Sequence, residues 1–154
     1  MAVFFVDASG LLKRYVVETG TPWIVNLLGP ATGAVIFVAA ISGVEVTSAI
    51  ARRGRSGSIS RPALAAALAQ FHKEFAGSFN VIDLSPSVIR HAMALAQANA
   101  LRGYDAVQLA AACQVNATCL AEGLAPLTLV SADVELNAAA ALEGMAVDDP
   151  NSHL

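Results

Sequence analysis

Charge is scarce in this chain of 154 residues: Asp, Glu, Lys and Arg make up 14% of it, against 56% for the hydrophobic set. That balance excludes intrinsic disorder, which needs low hydrophobicity and high charge. Cysteine is nearly absent. Cys113 and Cys119 fall on different faces of one expected helix, so they cannot pair within it. No apolar run reaches the about 20 residues that cross a bilayer. The longest uncharged stretch, Thr19 to Val44, is interrupted by Gly20, Pro22, Asn26, Gly29, Pro30 and Gly33. No basic residue precedes the opening run MAVFFV, which stops at Asp7, so no secretory signal is expected. These absences lead to the expectation of a single cytoplasmic domain over 1–154 without a membrane span. A chain of this length buries enough surface to fold without disulfide or metal staples.

Positive charge is also in short supply. Nine Lys and Arg stand against twelve Asp and Glu, a net charge of −3, so nucleic acid would not be held by bulk charge. The basic residues are unevenly spread, however. Arg52, Arg53, Arg55 and Arg61 lie close together with no acid among them.

Short β-branched or aromatic runs alternate with longer helical patterns. Strands are expected at 2–6, 34–39, 79–84, 127–130 and 144–148. Helices are expected at 8–17, 22–28, 43–53, 61–76, 86–99, 104–120 and 133–142. Ser85-Pro86 and Ser60-Arg61-Pro62 read as helix starts, and Ser42-Gly43-Val44-Glu45 has capping-box spacing. Gly54, Gly77 and Gly144 read as helix stops. The alternation predicts an α/β fold with a mostly parallel sheet and helices on both faces. The first and third strands, apolar almost throughout, are expected to be covered on both sides. Trp23, Ile24, Leu27 and Leu28 fall at helical spacing and read as core.

Four acids recur near strand ends. Asp7 ends the first strand, Glu45 opens the helix after the second, Asp105 opens the helix before the fourth, and Asp133 follows the fourth. In an open parallel sheet the carboxyl ends of the strands share one edge, where ligands bind. Asp7, Glu45 and Asp133 therefore belong on one rim. Asp105 joins them if helix 104–120 runs back down the sheet. Each acid also has a local reading: Asp7 and Asp133 as helix caps, Glu45 as the capping-box partner of Ser42, Asp105 as a first-turn acid favoured by the helix dipole. Together they would repel. At ~6 Å and an effective dielectric of about 20, each ionised pair costs roughly 2–3 kcal/mol. Such a cluster binds protons or cations. His72, His91 and His153 are scattered and lack zinc spacing, so an all-oxygen site suits Mg²⁺ or Mn²⁺.

Val6-Asp7-Ala8-Ser9, Gly43-Val44-Glu45, Leu101-Arg102-Gly103-Tyr104-Asp105-Ala106 and Leu129-Val130-Ser131-Ala132-Asp133 occur in that order. As an ordered set over about residues 2–149 they resemble the PIN-domain ribonucleases, in particular the VapC-like toxins of type II toxin–antitoxin pairs. The resemblance implies a three-layer α/β/α PIN-like sandwich with a central, mostly parallel sheet. It implies an endoribonuclease whose acidic quartet, Asp7, Glu45, Asp105 and Asp133, surrounds one or two Mg²⁺ or Mn²⁺ ions. Ser9 and Ser131 match supporting polar positions. RNA as substrate, a cognate antitoxin and a homodimer are implied too. Arg52, Arg53 and Arg55 match no fixed family motif. They read as RNA contacts, as a solvated helix end, or as a docking site for an acidic antitoxin segment.

Two rival readings stay open on the sequence alone. One is another acidic-rim α/β phosphotransfer protein. A dehalogenase-like phosphatase needs a second Asp two residues after the first, where this chain has Ser9. A phosphoaspartate receiver needs an acidic pair and a late lysine, and the segment 131–137 is SADVELN. The other rival is a non-catalytic PIN-like binding module, against which the intact acidic set argues.

Overall fold

A computed structural model describes residues 2–154. The chain runs β1 (Val3–Val6), α1 (Ala8–Tyr15), α2 (Thr21–Leu27), β2 (Val35–Ala39), α3 (Ser42–Arg55), α4 (Arg61–Gly77), β3 (Asn80–Ile82), α5 (Pro86–Asn99), α6 (Gly103–Ala121), β4 (Thr128–Val130), α7 (Val134–Leu142) and β5 (Ala146–Asp148). Short 3-10 turns at Pro30–Thr32 and Pro150–Ser152 were not anticipated by the apolar pattern. The five strands form one sheet in the order β3-β2-β1-β4-β5, with every pair parallel. Helices cover both faces, giving the three-layer α/β/α arrangement.

Alternation along the strands feeds two cores. Phe5 and Leu129 point into a layer with Leu95, Leu109 and Leu136 of α5, α6 and α7. Their neighbours Val6 and Val130 point the other way, towards Leu11, Ile24, Ile50 and Phe71 of α1 to α4. Burying each such side chain is worth roughly 1.5–3 kcal/mol. The alanine-rich sequence of α6 has a clear use. Ala106, Ala110, Ala111 and Ala112 are all buried, because α6 lies against the sheet while packing along α5. Small side chains let these layers approach closely. Ile24 and Leu27 are core residues, as expected, with Trp23 and Leu28 packed against the same cluster.

Three local expectations are corrected. β3 is an edge strand with Asn80 exposed and Val81 and Ile82 half-buried, not a doubly covered one. Gly54 does not stop α3, which continues through Arg55. A Cβ on Gly54 would meet Leu64 Cδ2 at 2.6 Å, so the glycine serves the close approach of α4. Gly77 likewise lies inside α4, whose cap is Ser78. Finally, Ser42 is the first residue of α3 rather than its cap. The preceding turn is already helical, with the amides of Val44 and Glu45 donating to the Ile41 carbonyl, and this frees the Ser42 hydroxyl. The starts at Ser60 and Ser85 are as expected, each hydroxyl accepting from the amide three residues on. Gly144 follows α7 with φ +86°, as a helix stop should.

The strand order fixes where a ligand belongs. From central β1 the chain winds outward through β2 and β3, then restarts on the other side with β4 and β5. The crevice at the carboxyl ends of β1 and β4 is the point of reversal, where open α/β sheets bind ligands.

Candidate active site

Asp7 follows β1 directly, and its backbone amide donates to the Val130 carbonyl at 3.1 Å, stitching the two strand ends together. Its side chain caps α1. Oδ1 accepts from the Gly10 amide at 2.9 Å and from Ser9 Oγ at 2.7 Å, while Oδ2 accepts from Ser131 Oγ at 2.7 Å. A carboxylate offers about four acceptor positions. Three are used, and the fourth, on Oδ2, remains. The local capping role is therefore real, and it holds Asp7 rigid without exhausting it.

The two serines do more than support one acid. Ser131 is fully buried, and its Oγ accepts from the Asp133 amide at 3.0 Å while donating to Asp7. Ser9 Oγ accepts from the Ala132 amide at 2.9 Å. The β4–α7 turn is thus bolted to the start of α1. Asp133 in turn caps α7, with Oδ1 accepting from the Leu136 amide at 3.0 Å.

Glu45 sits half-buried in the first turn of α3. It is not a capping-box partner of Ser42. Instead Gln108 of α6, nearly fully buried, donates from Nε2 to Ser42 Oγ at 2.8 Å and to Glu45 Oε1 at 2.9 Å. Gln108 was missed in the sequence, where a lone glutamine in an alanine-rich helix carries no signal. Its position one helical turn after Asp105, on the same face, could have raised it.

Asp105 occupies the first turn of α6, which does run back down the sheet from the carboxyl rim. Burial, then the charges of Asp133 and Glu45, push its carboxyl up to about 6, with Arg102 pulling the other way. Asp7 is also pushed up to about 6, by burial first. Its three hydrogen bonds oppose the rise, and the charge of Asp105 adds to it. Burial raises Glu45 as well, against the hydrogen bond from Gln108. Asp105 thus feels the charges of Asp133 and Glu45, and its own charge reaches Asp7.

The residues fit a hard divalent cation. Every donor is an oxygen, Asp7 retains an acceptor position, and the buried Oε1 of Gln108 has no partner among the described residues. No three His, Cys, Asp or Glu among the described residues stand close enough to form a ready-made cage.

The arginines separate. Arg53 pairs with Glu18 at 3.2 Å, and Glu18 also pairs with the buried Lys13 at 3.6 Å, so Arg53 ties the end of α3 to the end of α1. Arg52 lines a groove of about 280 Å³ together with Glu45, Ala8 and Tyr104. Arg55 is exposed at the end of α3. His153 is not a loose tail residue. It stacks on Trp23 at 4.1 Å and meets Asp148 at 2.7 Å.

Two curated relatives from Mycobacterium tuberculosis, ribonucleases VapC45 and VapC49, are each 32% identical over 115 residues, covering 75% of this chain and 78% of the relative. The chain belongs to the VapC ribonuclease family. No protein-family model matches it. Solved structures with the same fold include PAE2754 from Pyrobaculum aerophilum, with a TM-score of 0.61, 23% identity and coverage of 98% of this chain and 91% of that one. A toxin–antitoxin complex from Klebsiella pneumoniae matches with a TM-score of 0.58 and 19% identity, covering 97% and 98%. VapC membership agrees with the order of the acidic motifs. In addition, no helix among the described residues is long and apolar enough to cross a membrane.

Proposed function

We propose that this chain is an Mg²⁺- or Mn²⁺-dependent endoribonuclease, the toxin of a toxin–antitoxin pair, with Asp7, Glu45, Asp105 and Asp133 as its catalytic and metal-binding acids. The observation that carries this reading is that Asp105, at the start of α6, feels the charges of Glu45 and Asp133, while Asp7 ends β1 at the switch point of the sheet. The names of the relatives, ribonucleases VapC45 and VapC49, support RNA as substrate. The toxin–antitoxin complex among the structural neighbours supports an antitoxin as partner.

A bound divalent ion would offset the repulsion among the acids, polarise the scissile phosphate and lower the pKa of a bound water. The chain's own residues supply the rest. Ser9, Gly10 and Ser131 fix the Asp7 carboxylate in one orientation, with Oδ2 directed by Ser131. Gln108 holds Glu45 by Oε1, leaving Oε2 to take a proton from an attacking water. The raised pKa of Glu45 makes it a better proton acceptor for that step. Arg52, in the groove shared with Glu45, is placed to meet a phosphate oxygen of the bound strand. No serine or cysteine nucleophile is required, and Ser9 is already committed to Asp7 and the Ala132 amide.

The test is cleavage of RNA by the purified chain with Mg²⁺, with Mn²⁺ and in excess chelator. Cleavage that needs the ion and is lost in Asp7→Asn and Asp105→Asn supports the reading. Undiminished cleavage in chelator or in either variant overturns it.

A further inference from the structure

A single exposed apolar side chain is ordinary, so an exposed aromatic gains meaning only from what surrounds it. Among the described aromatic residues of this chain, Tyr104 alone is exposed, with 62% of its surface in solvent. It stands immediately before Asp105. Its backbone is firmly placed: Leu101 and Ala106 are buried on either side, and the Ala106 amide donates to the Arg102 carbonyl at 2.9 Å. The ring has only two side-chain torsions to order.

Two grooves meet at this ring. One, of about 280 Å³, holds Arg52, Glu45 and Val44; the other, of about 410 Å³, holds Arg102, Leu84 and Ile89. Tyr104 and Ile41 are common to both. Each groove therefore pairs an apolar wall with one arginine, and the dividing aromatic stands beside the acids. A flat apolar ring flanked by two arginines, beside the acids proposed to act on RNA, matches one chemistry: a nucleobase stacked on the ring with its backbone drawn to the arginines.

We propose that Tyr104 is a stacking platform for an unpaired base adjacent to the scissile bond, with Arg52 and Arg102 receiving phosphates on either side of it. The proposal rests on the endoribonuclease reading and deepens it. A base in a continuous duplex has both faces covered, so the platform selects RNA whose nucleotide at that point is unstacked. Tyr104 acts on binding and on the choice of site, not on the reacting atoms. Loss of the ring raises KM and leaves kcat nearly unchanged, the signature of uniform binding.

The test uses a short single-stranded RNA bearing 2-aminopurine, whose fluorescence falls when it stacks, titrated into the full chain in chelator so that no bond is cut. Base stacking on an aromatic ring predicts roughly a tenfold loss of affinity for Tyr104→Leu. Fluorescence quenching should vanish in that variant, while Tyr104→Phe behaves as the native chain. In parallel, cleavage kinetics should show the KM effect. Equal affinity and equal quenching in Tyr104→Leu, with metal-dependent cleavage intact, overturns the platform and leaves the nuclease reading standing. If Tyr104→Leu binds RNA normally and instead alters self-association of the chain, the residue serves a protein interface and the proposal fails. Absence of both RNA binding and cleavage in the native chain overturns the nuclease reading itself.

Discussion

Removing the charge of Asp105 should make the ion-free protein more stable while destroying its activity. Asp105 is partly exposed, its carboxyl is pushed up to about 6 from 3.8, and the causes are burial followed by the charges of Asp133 and Glu45. The folded pKa thus lies above the unfolded one. Between about pH 4 and pH 6 the folded state keeps a proton that the unfolded state has released, so stability falls as pH rises through that window and stays lower above it. At face value a shift of this size corresponds to about 3 kcal/mol at pH 7.5. Solvent screening at a half-exposed site reduces that to roughly 1–1.5 kcal/mol. For a domain of this size such a gain raises Tm by about 3–5 °C. Thermal unfolding of native protein and Asp105→Asn in chelator should show that gap at pH 7.5 and its disappearance at pH 4, where the native carboxyl is protonated. Mg²⁺ should raise the native Tm and do little for the variant. RNA cleavage should fall at least ~100-fold, beyond what loss of an outer-shell partner costs. Equal or lower stability of Asp105→Asn at pH 7.5 would refute the claim that these carboxylates crowd one pocket.

Gln108→Leu removes the donor shared by Ser42 and Glu45. Cleavage should fall about 10–100-fold, and the acid limb of the pH–rate profile should move to higher pH because the bond that lowers Glu45 is gone. Ser131→Ala leaves Asp7 Oδ2 and the Asp133 amide without their buried partner, which should cost about 1.5–3 kcal/mol in chemical denaturation at pH 7.5. Gly20→Ala should be severely destabilising, by roughly 2–4 kcal/mol, since Gly20 has φ +86° and a Cβ there would collide with the Pro150 carbonyl. Gly33→Ala, at φ +63° in open space, should cost only about 1–2 kcal/mol in the same assay.

The elements were legible because their patterns are strong. Short, nearly continuous apolar runs mark β1, β2 and β4, and serine caps with proline mark α4 and α5. β3 misled because the apolar residues of FNVIDL read as a buried strand, yet nothing local tells whether a further strand pairs beside it. Gly54 misled because a glycine needed for contact with Leu64 looks in sequence like one that ends a helix. Asp7 and Asp133 were open to two readings; both do cap helices, and the charge of Asp133 also reaches Asp105. Local spacing reveals the cap; a charge effect between residues far apart in sequence needs the tertiary structure. Gln108 stayed hidden for the same reason, its partners lying 63 and 66 residues away. The arginine cluster read as one patch but divides by geometry, with Arg53 held by Glu18 and Arg52 in the groove beside Glu45.

A direct measurement is titration of the purified chain with Mn²⁺, following the free ion by electron paramagnetic resonance, in the native protein and in Asp7→Asn and Asp105→Asn. Binding of one or two ions by the native chain, weakened at least about tenfold in each variant, is expected if acids distant in sequence share one cation site. Identical Mn²⁺ binding by all three proteins, or none by the native chain, would contradict it.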